Sequence, residues 1–345
     1  MKKYFFLAVA AVVALAACTK NEIDQTSKAG REINFNAVAG MTTKAPITST
    51  YYGTSDPIFG MFCYAVASGE WADNHATSAA YMDNVQIKYN STSDIWEPWS
   101  GSAYVTYYWP LSGSLTFIGY SPYKASGVSY DKSSCALTFT DFTQAAAAAS
   151  QEDLMYATTN ANKTGNDAAY KSSSEDVAST ATGVNVVFHH ALSQICFTIK
   201  KAAALTDYTI TVTGLSFNAY KKGTLTVTND SPSWGTATVD ETFSVGSSSQ
   251  AATTSAVAYG DAHLAVPQDL VAATQQFSIT YSLAKDTVPL GSKTVDVDLR
   301  NGAITAWGPN TKYVYNITID LDKIYFNPTI VDWTSPATEQ GVDVH

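Results

Sequence analysis

The chain is short of charge, and the charge it has is one-sided. Asp, Glu, Lys and Arg make up 14% of 345 residues, against roughly 25% in an average soluble domain. Lys and Arg number 20 against 30 Asp and Glu, a net charge of −10, and nowhere do five basic residues run together. A surface of that sign repels phosphate, so nucleic acid is excluded as a partner. Cysteine is scarce, at 4 residues, which excludes a scaffold built on disulfides. The apolar stretch Tyr4 to Ala17 has fourteen residues, short of the roughly 20 a membrane-spanning helix needs. No apolar pattern of helical period persists for twelve residues, which argues against crossover helices and a parallel sheet.

Recognisable catalytic spacings are missing too. There is no Gly-x-Ser-x-Gly elbow, His-Glu-x-x-His helix, phosphate-cradling Gly-rich loop or EF-hand loop. Of the five histidines, His189 and His190 are adjacent in an extended segment, so they point to opposite faces and cannot share an ion. The carboxylates Glu97, Asp153 and Asp176 are separated by loops and define no acid–base pair. The expectation is a protein with no catalytic residue, no metal and no cofactor, and not an enzyme.

What is present favours strands and export. The chain has 42 threonines and 21 tyrosines, with many Val and Ile, residues that suit a pleated, half-buried surface. Met1-Lys2-Lys3 and the apolar stretch read as a signal peptide. It closes on Leu15-Ala16-Ala17-Cys18, which resembles a bacterial lipobox. That predicts removal of residues 1–17, acylation of Cys18 with palmitate-type chains, and retention at the outer membrane, because several chains anchor far more firmly than one. Two acids in Asn21-Glu22-Ile23-Asp24 resemble a surface-export tag. Cys63 and Cys196 lie in strand-like text and are expected to be buried, inert thiols.

After a polar tether at 18–31, Ile33-Asn34-Phe35-Asn36-Ala37 alternates with period two, predicting a first strand with Ile33, Phe35 and Ala37 inward. About eighteen residues of Thr/Ser/Pro-rich loop follow, up to Pro57. Strands are predicted at Ile58–Ala67, Val85–Tyr89, Tyr104–Trp109, Leu115–Tyr120 and Ala136–Phe139, with an Ala run at 144–151 forming a helical turn or two. Residues 160–183 are almost free of large apolar side chains, which places a domain boundary there. Beyond it strands are predicted at Val184–Phe188, Ala191–Ile199, Tyr208–Val212, Leu215–Phe217, Thr224–Thr228, Gln276–Leu283, Lys312–Leu321 and Tyr325–Ile330, among others. The expected architecture is all-β: two antiparallel β-sandwich domains in tandem, at 32–183 and 184–345, with Greek-key connections. The aromatic clusters Trp96-Glu97-Pro98-Trp99 and Tyr107-Tyr108-Trp109 are either cross-strand packing or a platform for sugar rings.

The lipobox, Glu32-Ile33-Asn34-Phe35 with Thr42-Thr43-Lys44-Ala45, Asp153-Leu154-Met155-Tyr156-Ala157 and Phe188-His189-His190-Ala191-Leu192-Ser193-Gln194-Ile195-Cys196-Phe197 together resemble the fimbrillin family of lipoprotein-derived pilins. Leu264-Ala265-Val266-Pro267-Gln268, Tyr313-Val314-Tyr315-Asn316-Ile317 and Ile330-Val331-Asp332-Trp333 continue the resemblance. It implies transthyretin-like sandwiches, export as an outer-membrane lipoprotein, and assembly with other fimbrial subunits into surface fimbriae for adhesion to a host or bacterial receptor. It also implies that a trypsin-like protease cuts the loop after the first strand, whose groove then takes a strand from the next subunit. The only basic residue of that loop is Lys44, before Ala45 and Pro46, where the family usually has Arg; the alternative is an uncut chain in an anchor or tip-like role, since Lys for Arg and the nearby Pro46 both work against cleavage. Arg31 is a second site, but a cut there leaves the groove filled. The incoming strand is expected from Tyr325 to Trp333 or the tail beyond. Asp286-Thr287-Val288 resembles an O-glycosylation site of exported bacterial proteins, with Thr287 as acceptor. The rival reading is a surface glycan-binding lipoprotein of a polysaccharide-uptake system.

Overall fold

In this computed structural model, residues 32–39, 58–165, 183–300, 304–321 and 323–331 are described. Among these residues the chain is all-β, with one α-helix of four residues, Trp71–Asn74. Its first half supplies β1 (Phe35–Ala39), β2 (Phe59–Val66), β3 (Ala79–Asn90), β4 (Ile95–Trp99), β5 (Ser114–Ser121), β6 (Val128–Asp131), β7 (Ala136–Thr143), β8 (Met155–Ala157) and β9 (Asn160–Lys163). Its second half supplies β10 (Val184–His190), β11 (Ser193–Lys201), β12 (Tyr208–Thr228), β13 (Ser231–Trp234), β14 (Thr238–Gly246), β15 (Gln250–Ala251), β16 (Val257–Ala258), β17 (His263–Ala265), β18 (Gln268–Asp269), β19 (Gln276–Lys285), β20 (Val288–Asp298), β21 (Ala306–Trp307), β22 (Thr311–Ile319) and β23 (Ile324–Val331).

The first sheet runs β2-β3-β4-β1-β10-β8-β5, and β5 pairs back onto β2, so these strands form a closed ring. The alternation of β2 shows what closure does. Phe59, Met61, Cys63 and Ala65 fill the ring's interior, while Phe62, Tyr64 and Val66 on the outer face join a separate core. That outer core receives Leu137 and Phe139 of β7, Leu225 and Val227 of β12, and Leu264 and Val266 beyond, so it fastens the ring to the rest of the molecule. A third core lies between the sheet β16-β11-β22-β23 and the β20-β19-β12 sheet, around Phe197, Phe217, Phe277 and Tyr315.

Three expectations need correction. The sheets are not wholly antiparallel: β1 pairs parallel with β10, and β11 with β22. Parallel neighbours need a long crossover, usually a helix; here the intervening strands of each half serve instead. Residues 104–109 do not form a strand, making only isolated bridges at Tyr104 and Tyr108, because Trp109 turns into the ring's core and Pro110 cannot extend a ladder. The three strands expected between Tyr208 and Thr228 are one strand of 21 residues. Gly214 and Gly223 read as breaks in the alternation but sit at register shifts, opposite β19 and β7 respectively, that let β12 continue.

Pairing also crosses the expected domain line. β10 begins at Val184 yet completes the first ring, and the β6–β7 hairpin from the first half pairs with β12. The Ala run yields one short 3-10 turn, Ala148–Ser150. Gln151, just after it, accepts the Leu264 N–H (2.7 Å) and donates to the Ala145 carbonyl (3.0 Å), tying this loop to β17.

Candidate functional site: the first strand and its seat

β1 is a stave of the closed ring with very unequal sides. Its inward residues Phe35 and Ala37, with Ile33 just ahead of it, are 1%, 3% and 1% exposed. The Phe35 ring meets Phe117 edge-on at 5.7 Å and Phe59 at 6.3 Å. Burying an Ile or Phe side chain is worth about 1.5–3 kcal/mol each, so the side chains hold the strand well. Toward β10 the backbone is laddered along all five residues of β1, from Phe35 opposite Val184 onward. Toward β4 only Phe35 and Trp96 are paired, supplemented by the Ile33 N–H to Tyr107 carbonyl bond (2.8 Å) and a bridge from Glu32 to Tyr108.

The chain re-enters beside this strand at Gly183. Its φ is +125°, and a Cβ there would sit 2.6 Å from the Asn34 carbonyl oxygen. Only glycine allows the approach, which brings the Val184 N–H to that same carbonyl at 2.8 Å. On the outer face Asn36 Nδ2 donates to Asn185 Oδ1 at 3.1 Å. Without β1, the ring would open between β4 and β10 and bare an apolar seat lined by Phe59, Phe117, Trp96 and Val184.

In the second half, β23 pairs, among the described residues, with β22 alone. Its residues Ile324 and Phe326 lean on the second-half core and Pro328 is buried, while Tyr325 and Ile330 are exposed. Phe326 packs against Phe277 at 5.6 Å and Tyr315 at 6.3 Å. Written side by side, Ile324-Tyr325-Phe326-Asn327-Pro328 repeats the pattern of Ile33-Asn34-Phe35-Asn36-Ala37. The sequence carried this signal, and a search for short internal repeats would have found it; the seat residues Phe59 and Phe117 carry no such mark.

The other sequence-derived sites are scattered. Cys18, Lys44 and Ala45 lie outside the described residues. Thr287 is exposed at the tip of the β19–β20 hairpin, with φ of +75° beside Asp286 at +48°. Of the aromatic clusters, Trp96 and Trp109 are buried, Trp96 against Phe59 (5.3 Å) and Trp109 against Phe117 (5.7 Å). Trp99, half-buried, has Lys88 Nζ over its ring at 4.3 Å and Tyr104 edge-on at 4.8 Å. Cys63 and Cys196 are buried free thiols, and burial raises both above the ordinary thiol range, Cys196 to about 11. His190 is buried with Nδ1 2.9 Å from Asp153 Oδ1, and His189 turns the other way toward Thr158 Oγ1 at 2.8 Å. Among the described residues no three His, Cys, Asp or Glu side chains converge as metal ligands, and no helix is long and apolar enough to cross a membrane.

A family profile described as fimbrillin-like matches residues 63–333, well over half of the sequence. The chain belongs to the fimbrillin-like family. The fimbrillin-like fold is shared with a fimbrial protein from Bacteroides vulgatus at 20% identity and a TM-score of 0.63, covering 88% of this chain and 100% of that one. A candidate cell adhesion protein from Bacteroides uniformis (17% identity, TM-score 0.51) covers 89% of this chain and 100% of its own. A second, from Bacteroides ovatus (14%, TM-score 0.50), covers 90% and 100%. At such identities the likeness is one of fold. No curated protein sequence matches the chain. Membership of this family supports a role as a structural subunit at a cell-surface fimbrium, associated with other fimbrial subunits.

Proposed function

We propose that this fimbrillin-like protein is exported as an outer-membrane lipoprotein on Cys18 and joins its neighbours in a fimbria by strand exchange, after a cut between Lys44 and Ala45 frees β1. The observation that carries this reading is the place of β1: a stave buried on its inner side, laddered on one edge and nearly unpaired on the other. Such a strand is separable, because its loss breaks one full ladder while leaving a preformed apolar seat with an open backbone edge. Cys18, exposed by removal of the 17-residue signal, and the loop containing Lys44 supply the anchor and the cut.

β23 is the segment best suited to fill a neighbour's seat. It leaves its own sheet by giving up a single ladder, and it presents Ile324, Phe326 and Pro328 at alternate positions, the spacing at which the seat holds Ile33, Phe35 and Ala37. Thr287, on an exposed tip with a strained backbone, is the acceptor for O-glycosylation in the same reading.

Limited trypsin digestion of the folded protein followed by size-exclusion chromatography tests the assembly step. Cleavage after Lys44 and a gain in oligomers over a Lys44→Ala control are expected, and Phe326→Asp is expected to suppress the gain. An intact Lys44–Ala45 bond, or equal oligomer content in the control, defeats the proposal. Mass spectrometry of the membrane fraction tests Cys18; a mature chain beginning elsewhere sinks that part.

A further inference from the structure

A cleft of about 520 Å³ opens between β13 and the short β18–β21 ladder, lined wholly by residues of the second half. That volume is within the range of small-ligand sites. The cleft is held open by bonds already made. Gln268 receives the Tyr220 N–H on Oε1 at 2.9 Å and donates from Nε2 to the carbonyls of Tyr220 (2.9 Å) and Val266 (2.8 Å). Trp234, half-buried on the opposite wall, is seated on Gly223, where a Cβ would come within 3.1 Å of its ring, and meets Phe142 edge-on at 6.0 Å.

The chemistry left facing the cleft is specific. Both indole N–H groups are spent inside the protein, Trp234 Nε1 on the Ala191 carbonyl at 2.7 Å and Trp307 Nε1 on Tyr315 Oη at 3.0 Å. The Trp234 indole therefore presents ring carbons without a donor. At one rim, Asp269 is fixed opposite Ala306 by the β18–β21 pairing; it is exposed, and it is the only charged residue lining the cleft. Thr236, also exposed, adds a hydroxyl on the other rim.

We infer that this cleft binds a neutral pyranose of a glycan, with the sugar's C–H face on Trp234 and its hydroxyls donating to Asp269. A ring face carries negative potential and suits electropositive C–H groups, and an ionised carboxylate accepts hydrogen bonds from two hydroxyls at once. The alternatives fit less well. A polyproline segment is held in grooves whose aromatic residues line the floor and whose donors reach its carbonyls, and here the indole donors are committed. A quaternary ammonium needs several ring faces around it, and Trp307, 2% exposed, shows none. Anionic ligands meet Asp269 on a chain of net charge −10. The inference does not depend on strand exchange, because neither β1 nor β23 lines the cleft.

Saturation-transfer-difference NMR on the full mature chain tests it, with methyl α-D-mannopyranoside, methyl β-D-galactopyranoside and methyl β-D-glucopyranoside as probes. Transfer to the ring C–H protons of at least one glycoside is expected. It should disappear in Ala306→Trp, which fills the cleft from an exposed rim. In Asp269→Asn the affinity should fall about tenfold or more, as loss of a hydrogen bond to a charged group implies. Both positions are exposed, so both variants are expected to keep the wild-type circular dichroism. No transfer from any of the three glycosides, transfer that survives Ala306→Trp, or binding of a decaproline peptide or choline in their place overturns the inference.

Discussion

Phe35 is the side chain on which the seat of β1 depends, since it alone bridges Phe59 and Phe117 while its backbone pairs to both β4 and β10. Truncating such a residue costs about 3–5 kcal/mol, so Phe35→Ala is expected to lower unfolding stability in urea by that amount in uncut protein. A loss below 1 kcal/mol would show that the strand is not held by its core side. His263 is a second residue with a measurable consequence. Its Nε2 faces the Ser244 carbonyl at 3.0 Å and its Nδ1 the Gln151 amide at 3.2 Å, and burial holds it below the ordinary value of 6.5. The unfolded chain therefore takes up the proton first. The stability this residue contributes is complete above pH 6.5 and is lost as pH falls through 6.5 toward the lower folded value. Urea midpoints at pH 7.5 and 5.5 should differ less in His263→Gln than in the parent, although His189, also lowered by burial, keeps part of the slope. An identical difference would rule out His263 as a source.

At the scale of elements, two turns decide how strands are presented. Gly183 sets β10 against β1, and an alanine there would collide with the Asn34 carbonyl. Gly183→Ala should therefore speed hydrogen exchange at the Val184 amide and along the β1–β10 ladder without changing β19 or β20. Equal exchange in both regions would mean that the approach is not as close as the geometry has it. The β19–β20 hairpin turns through Asp286 and Thr287, both at positive φ, a conformation that suits Gly or Asn and strains a β-branched residue. Thr287→Gly is expected to stabilise the protein by on the order of 1 kcal/mol, the usual cost of a left-handed residue with a side chain. A drop in melting temperature would contradict this.

For the whole molecule, the exchange of strands across residue 183 matters more than any one contact. A fragment beginning at Val184 carries β10 without β1 or β8, and exposes Val184, Val186 and Phe188, which the ring otherwise buries. A fragment ending at Gly183 lacks one stave and leaves the β6–β7 hairpin without β12. Neither fragment is expected to give the dispersed amide spectrum of a folded domain when produced alone, and mixing them should restore it. Independent folding of either half would show that the ring can close without β10.

Much of this was legible in the sequence, because strand formation and side-chain alternation are local. Ile33, Phe35 and Ala37 face inward as their spacing required, and β22 and β23 lie within a residue or two of their expected places. The family resemblance rested on the same short motifs. What pairs with what was not legible, since pairing joins residues with no local mark of one another: Phe35 meets Val184 across most of the first half, and Ser193 meets Thr311 across most of the second. Closure of the ring, the single-sided hold on β1 and the cleft between β13 and β21 are properties of that pairing. Alternation along the chain is enough to say that it is built of strands and which face of each is apolar; that β1 is laddered mainly along one edge emerges only in the fold, because a groove exists only where distant segments become neighbours.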